Sequence, residues 1–273
     1  MGEPRQSQSP VVCDLDGTLM YRNDQISITQ IARHDTLIGP TAIIEYCNRK
    51  YVALLAQGVY DVYLCMDTWM MLHALSRRRP VICATGSPQS TIERRLHMLK
   101  FADAIAFETG ARILLRQGEE FIEDVEWSSR FDQYRGALDL LAQRLELDGW
   151  QVDRAGREYT LRVRQAGERP MPLECVPAQF CSSFNLGNLD IYPKGAGKLN
   201  AIHYLLRRSD SRAMTYIGDD ENDAQALGDA ADPILMGHAS VDLVRVAREQ
   251  GWRVTEQQHI EGINRVLSEL LEK

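Results

Sequence analysis

Short apolar runs that each end in Asp, Gly or Thr constrain this chain most. Val11-Val12-Cys13 runs directly into Asp14-Leu15-Asp16-Gly17, Pro80-Val81-Ile82-Cys83-Ala84 into Thr85-Gly86, and Ala213-Met214-Thr215-Tyr216-Ile217 into Gly218-Asp219. A short, mostly apolar run bounded by turn residues is the pattern of a strand buried on both faces. Ala104 to Phe107, Pro233 to Met236 and Trp252 to Thr255 repeat it, with helical stretches between them. Strands alternating with helices predict a doubly wound, mostly parallel α/β sheet, whose ligands bind beyond the carboxyl ends of the strands.

The middle of the chain breaks this rhythm. Leu138, Leu141 and Leu145 recur at helical spacing in Ser129–Leu147, which predicts an amphipathic helix. Glu158 to Arg164 alternates as a strand with one wet face, and more strand-like sequence follows from Ser183 to Ile191. The predicted architecture is therefore a Rossmann-like core made of residues 1–109 and 191–273, with an α+β unit inserted at 110–190. The stretch from Thr36 to Asp67, rich in apolar and aromatic residues such as Tyr46, Tyr51, Tyr60 and Tyr63, is read as additional core helix. A lid or an oligomer contact is the other reading of it.

Composition excludes several partner classes. The net charge of −7 leaves no broad basic surface for a nucleic-acid backbone. No apolar run is long enough for a membrane helix, and the polar start of the chain lacks the apolar stretch of a secretory signal, so cytoplasm is the expected compartment. The six cysteines form no CxxC pair, which argues for reduced structural thiols rather than zinc.

The chemistry lies in the acidic turns. Asp14 and Asp16 stand two apart on an extended chain, and Asp219 and Asp223 bracket a second acidic turn. Carboxylates converging at one sheet edge repel unless a cation lies among them, and oxygen ligands in a loop suit Mg²⁺. Lys198, after Gly195-Ala196-Gly197, offers positive charge, and Thr85 with Gly86 offers a hydroxyl and an amide to phosphate oxygens.

Asp14-Leu15-Asp16-Gly17-Thr18-Leu19, Thr85-Gly86, Lys198 and Gly218-Asp219-Asp220-Glu221-Asn222-Asp223 resemble, in order, the four motifs of the haloacid dehalogenase superfamily. The resemblance implies that Asp14 is the nucleophile, forming an aspartyl-phosphate, and that Asp16 is the acid and then the base. It implies that Thr85 and Lys198 hold the transferring phosphoryl group, with Gly86 and Asn222 close to it. Asp14, Asp219 and the main-chain carbonyl of Asp16 would bind Mg²⁺, with Asp223 supporting the metal from behind. Lys194 is a rival for the third-motif lysine.

An insert between the second and third motifs is similar to the family's C2-type caps. That layout is shared with phosphatases acting on sucrose, trehalose or mannosylglycerate phosphates, so the implied substrate is a small phosphorylated molecule, a sugar phosphate above all. Arg162 and Arg164, on the alternating strand, are candidates to read that substrate if their face roofs the site. A phosphosugar mutase and a catalytically silent module on the same fold are the alternatives.

Overall fold

The computed structural model describes residues 9–22, 25, 33–38, 41–56, 59–165, 167, 169–185 and 187–273. The polar residues 1–8 and parts of the stretch before Asp67 therefore lie outside the described residues.

The chain begins with β1 (Val11–Cys13), followed by β2 (Tyr21–Arg22), β3 (Arg33–Ile38), β4 (Thr41–Tyr46), β5 (Arg49–Ala56) and β6 (Val59–Cys65). Helix α1 (Met66–Ser76), β7 (Val81–Ala84), α2 (Gln89–Arg95) and β8 (Ala104–Phe107) come next, then the antiparallel pair β9 (Arg112–Gln117) and β10 (Glu120–Glu123). The middle holds α3 (Val125–Ser128), α4 (Arg135–Leu147), β11 (Val152–Asp153), β12 (Leu161–Val163), β13 (Phe180–Asn185) and β14 (Asn188–Pro193). The chain closes with α5 (Lys198–Arg208), β15 (Thr215–Gly218), α6 (Ala224–Asp229), β16 (Asp232–Leu235), α7 (Val241–Glu249), β17 (Arg253–Val254) and α8 (His259–Glu272).

Eight of the strands form one sheet in the order β10-β9-β8-β7-β1-β15-β16-β17, parallel from β8 to β17 and antiparallel at the β9–β10 edge. Alternation along β1 explains its double coverage. Val11 and Cys13 face a core shared with Leu72 and Leu75 of α1 and with Ile263, Val266 and Leu267 of α8. Val12 faces the opposite core with Ala201, Ile202 and Leu205 of α5. This is the doubly wound α/β fold that the apolar runs predict.

A second sheet, β11-β12-β14-β13, is antiparallel throughout. Helix α4 lays Leu138, Leu141 and Leu145 against Leu161, Val163 and Ile191 of that sheet. The strand predicted over Glu158–Arg164 shrinks to Leu161–Val163. Its first residues instead form a loop whose amides, from Glu158 and Tyr159, donate to the buried carboxylate of Glu108 at 2.9 Å each. That anchor fixes the second sheet against the first.

The stretch expected as extra core helix is instead a third sheet, antiparallel and five-stranded, in the order β2-β6-β5-β4-β3. Val52, Leu54, Val62 and Leu64 on one of its faces join the core under α1. Tyr21, Ala42, Ile44, Tyr51, Ala53 and Tyr63 on the other face pack with Ile260 of α8. Both faces are covered, so the polar alternation that would have announced strands is absent. Among the described residues, no helix is long and apolar enough to cross a membrane, and the six cysteines are free thiols.

Candidate active site

The carboxyl ends of β1, β7 and β15 lie side by side, because Cys13 is in register with both Cys83 and Ile217. The residues that follow those three strands therefore converge. Asp14 follows β1 and is buried, its amide donating to the carbonyl of Ile217 at 2.9 Å. Asp219 follows β15, and Thr85 follows β7, with both side chains buried.

Lys198 ties the centre together. It is the first residue of α5, entered through Gly197. Its ammonium donates to Asp14 Oδ1 at 2.6 Å, to Asn222 Oδ1 at 2.6 Å and to Asp223 Oδ1 at 2.7 Å. Burial alone would lower its pKa, but the charges of Asp14 and Asp223 outweigh burial and raise it, so the lysine stays charged. Lys194, its rival in sequence, is exposed.

Asp223 serves as a scaffold. Its Oδ1 also accepts from Tyr216 at 2.5 Å, and its Oδ2 accepts from the amides of Asp219 and Asp220 at 3.1 and 3.2 Å. The acidic turn after β15 is thus folded around this carboxylate.

Asp14, Asp219 and Asp223 bring carboxylate oxygens within 4.8 Å of one another, all three residues buried. Burial, with the charges of neighbouring carboxylates, raises the pKa of both Asp14 and Asp219. Like charges pressed together out of water are what a divalent cation relieves, and hard carboxylate oxygens suit one. With Asp223 Oδ1 and Oδ2 taken by four donors, the oxygens best placed for a metal are those of Asp14 and Asp219. Asp219 is held by Thr18, whose hydroxyl donates to Oδ1 at 2.6 Å. Gly17, at φ +94°, leaves the room this requires, since a Cβ there would lie 2.2 Å from Asp219 Oδ2.

Asp16 faces away from that cluster. Its Oδ2 accepts from Ser87 Oγ at 2.8 Å, and its Oδ1 lies 2.9 Å from Arg95 Nη1. Burial opposes ionisation of this carboxyl, but the Arg95 charge and the Ser87 hydroxyl overcome burial and hold its pKa below the usual carboxylate range. A Ser directly before Pro at the start of a helix commonly caps that helix. The hydroxyl instead goes to Asp16, and Pro88 occupies the cap position. Arg95 was missed as well. In sequence it is one of two arginines at a helix end, yet it is 2% exposed.

Asp14, Asp16, Thr85, Gly86, Arg95 and Asn222 line a cavity of about 110 Å³. All three sheets contribute: Arg22 and Asp61 from the five-stranded one, Arg162 and Asn185 from the four-stranded one. Gly86 lies so close beneath the latter that a Cβ would come 2.3 Å from Asn185 Nδ2, and its carbonyl accepts from buried Arg157 at 3.1 Å. Arg162 reaches the cavity wall with its fork committed to buried Asp190, through Nε and Nη2 at 2.6 and 2.7 Å. Arg164 is not brought to the site; it is half exposed and pairs with Asp153 at 2.7 Å.

A family model described as haloacid dehalogenase-like hydrolase matches residues 168–267. No curated protein matches the chain in sequence. Among solved structures, the sucrose-phosphatase of Synechocystis is 14% identical with a TM-score of 0.64, over 97% of this chain and 98% of that one. A subclass IIB sugar phosphatase of the same superfamily is 16% identical with a TM-score of 0.62, over 96% and 98%. A haloalkanoate-superfamily phosphatase from Bacteroides thetaiotaomicron is 15% identical with a TM-score of 0.61, over 98% and 97%. The last part of the chain thus matches the haloacid dehalogenase-like hydrolase model in sequence, and the chain shares its fold with these solved structures over nearly its whole length.

Proposed function

We propose that the chain is a Mg²⁺-dependent phosphatase that hydrolyses the phosphate monoester of a small molecule, a sugar phosphate, through an aspartyl-phosphate on Asp14. The observation that carries this reading is the contact of Lys198 with Asp14, 2.6 Å from Nζ to Oδ1, beside the buried carboxylate of Asp219. Lys198 favours the ionised form of this carboxylate, while burial and the neighbouring carboxylates oppose it and leave the cluster short of positive charge.

Asp14 and Asp219, with the main-chain carbonyl of Asp16, are the groups that would hold Mg²⁺. When bound, the ion offsets charge on the phosphoryl oxygens. Lys198 would add positive charge of its own, and the hydroxyl of Thr85 and the amide of Gly86 would supply hydrogen bonds. Phosphoryl transfer asks a protein mainly to position groups and balance charge, and the cavity contains groups of both kinds.

Asp14 attacks phosphorus in line with the ester bond, and the leaving oxygen departs on the side of Asp16. Arrival of a phosphate dianion adds negative charge beside Asp16 and raises its proton affinity, so that it takes up a proton from solvent and then delivers that proton to the leaving oxygen. Once the product alcohol has gone, Asp16 takes the proton of the water that hydrolyses the aspartyl-phosphate. Its contacts with Ser87 and Arg95 favour the ionised form required for that second step.

The sugar assignment draws on what the structural neighbours are described as doing, since a sucrose-phosphatase and a sugar phosphatase share this fold. Phosphate release from a panel of sugar phosphates, with and without Mg²⁺, tests the proposal in the native chain and in Asp14→Asn. Mg²⁺-dependent release that disappears in the variant is the expected result. Transfer of the phosphate to an added sugar, with none released to water, would replace hydrolysis by mutase chemistry. Absence of both reactions in a folded, Mg²⁺-binding protein would overturn the enzymatic reading.

A further inference from the structure

Two histidines outside the four motifs stand behind the acidic cluster. His238 lies in the loop after β16, and His259 opens α8. Their rings stack with centroids 4.1 Å apart at an interplanar angle of 28°. The main-chain amide of His259 donates to His238 Nδ1 at 3.2 Å. An imidazole that accepts at Nδ1 carries its hydrogen on Nε2. That nitrogen lies 3.6 Å from Asp219 Oδ2; it is buried, and among the described residues it has no hydrogen-bond partner.

The carboxylate of Asp219 is thus approached from two directions. Thr18 donates to Oδ1 at 2.6 Å, and the Nε2–H of His238 faces Oδ2 at 3.6 Å, beyond hydrogen-bond length but without a competing partner among the described residues. Donors of this kind fix the rotation of a ligating carboxylate, and fixing it favours metal binding because less freedom is lost when the ion arrives.

The support for His238 runs further back. Tyr21 of the five-stranded sheet meets the His259 ring edge-on at 5.5 Å, and its hydroxyl donates to the carbonyl of Thr18 at 2.6 Å. Ile260, the next residue of α8, is buried in the aromatic face of the same sheet. One tyrosine therefore touches the main chain of Thr18 and the ring that stacks on His238. The third sheet, expected from the sequence as core helix, thus meets the surroundings of Asp219 through Tyr21 as well as lining the cavity with Arg22 and Asp61.

We propose that His238, oriented by the main chain and ring of His259, is a positioning residue for the metal-ligating carboxylate of Asp219, and that the five-stranded sheet braces it through Tyr21. The inference rests on the reading of Asp14 and Asp219 as Mg²⁺ ligands.

The test is calorimetric titration of the full-length protein with Mg²⁺ alone, in the native chain, His238→Ala and His238→Gln, alongside thermal melts without metal. Loss of the N–H in His238→Ala weakens Mg²⁺ binding by about 10- to 100-fold. His238→Gln, whose amide nitrogen reaches a similar distance and can donate, recovers most of that loss. At saturating Mg²⁺, kcat of His238→Ala returns toward the native value, because the residue acts through metal affinity. A His238→Ala protein that melts lower but binds Mg²⁺ with native affinity would reduce the histidine to a packing role and overturn the proposal. Failure of the native chain itself to bind Mg²⁺ would remove the metal reading on which it rests.

Discussion

Arg95 Nη1 lies 2.9 Å from Asp16 Oδ1 with the arginine almost wholly buried, so the carboxylate assigned to proton transfer has a permanent cationic neighbour. Removing that neighbour raises the pKa of Asp16, because the charge that opposes the effect of burial is gone. In Arg95→Met, kcat/KM is expected to fall about tenfold or more. Where the acid limb of the pH–rate profile reports Asp16, that limb moves to higher pH. A profile superimposable on the native one would show that Arg95 does not tune this carboxyl.

Metal removal has a definite sign. Asp14 and Asp219 have folded-state pKa values raised, by burial first and by neighbouring carboxylates, above those of an unfolded chain. Stability from such groups is fully present below the unfolded pKa and is lost as pH climbs through the folded values. The metal-free protein is therefore expected to melt lower at neutral pH than in mild acid, and Mg²⁺ to restore the difference. The gain is about 2.7 kcal/mol at a hundredfold excess over Kd. Asp219→Asn keeps an oxygen for Thr18 while deleting the charge. It should melt at or above the metal-free native protein and show no shift with Mg²⁺ in differential scanning calorimetry.

Lys198→Met leaves Asp14 and Asp223 buried without their counter-charge. The expected loss is about 3–5 kcal/mol of stability, together with activity lowered by at least ~10²-fold. Adding Asp14→Asn should return part of the stability and none of the activity, which a double-mutant cycle in urea and a phosphate-release assay would resolve. Equal melting of Lys198→Met and the native chain would mean that the ion pair contributes nothing.

Gly17→Ala places a Cβ against Asp219 Oδ2 at a backbone angle that side chains rarely adopt. Strain of this kind costs about 1–3 kcal/mol. The variant is expected to unfold at lower urea concentration and to bind Mg²⁺ more weakly, since Asp219 must turn to make room. A variant with unchanged calorimetric Mg²⁺ affinity would show that the carboxylate has freedom to move.

What the sequence displayed and what it concealed follow from burial. The strand at Val11–Cys13 was legible because it is covered on both faces and stops at an acidic turn; the same holds for Val81–Ala84 and Thr215–Gly218. Helix α4 was legible because one stripe of leucines is buried and the rest is wet. The five-stranded sheet was not. Val52 and Leu54 enter one core while Tyr51 and Ala53 enter another, so β5 reads as continuous apolar sequence with no period of two.

The candidate site divides in the same way. Asp14, Lys198, Asp219 and Asp223 announce themselves by residue type and order. Ser87, Arg95 and His238 do not, because Ser beside Pro, Arg at a helix end and a lone His each have a commonplace explanation. Only the fold brings them against Asp16 and Asp219. Arg162 shows the converse, since its place on the strand was read correctly while its partner, Asp190, lies on the neighbouring strand β14.

The pairing of β1 with β15 also sets when the site can come into being. Thr18 and Asp219 are 201 positions apart in the chain, yet their side chains share a hydrogen bond. During synthesis the strand bearing Asp14 must wait for β15, with the whole of the other two sheets made in between, before its second neighbour exists. Pairings across so great a separation form slowly and late in folding. Asp14 and Asp219 are thus kept apart until the surrounding framework is complete, and a chain interrupted before β15 carries Asp14 without its partners.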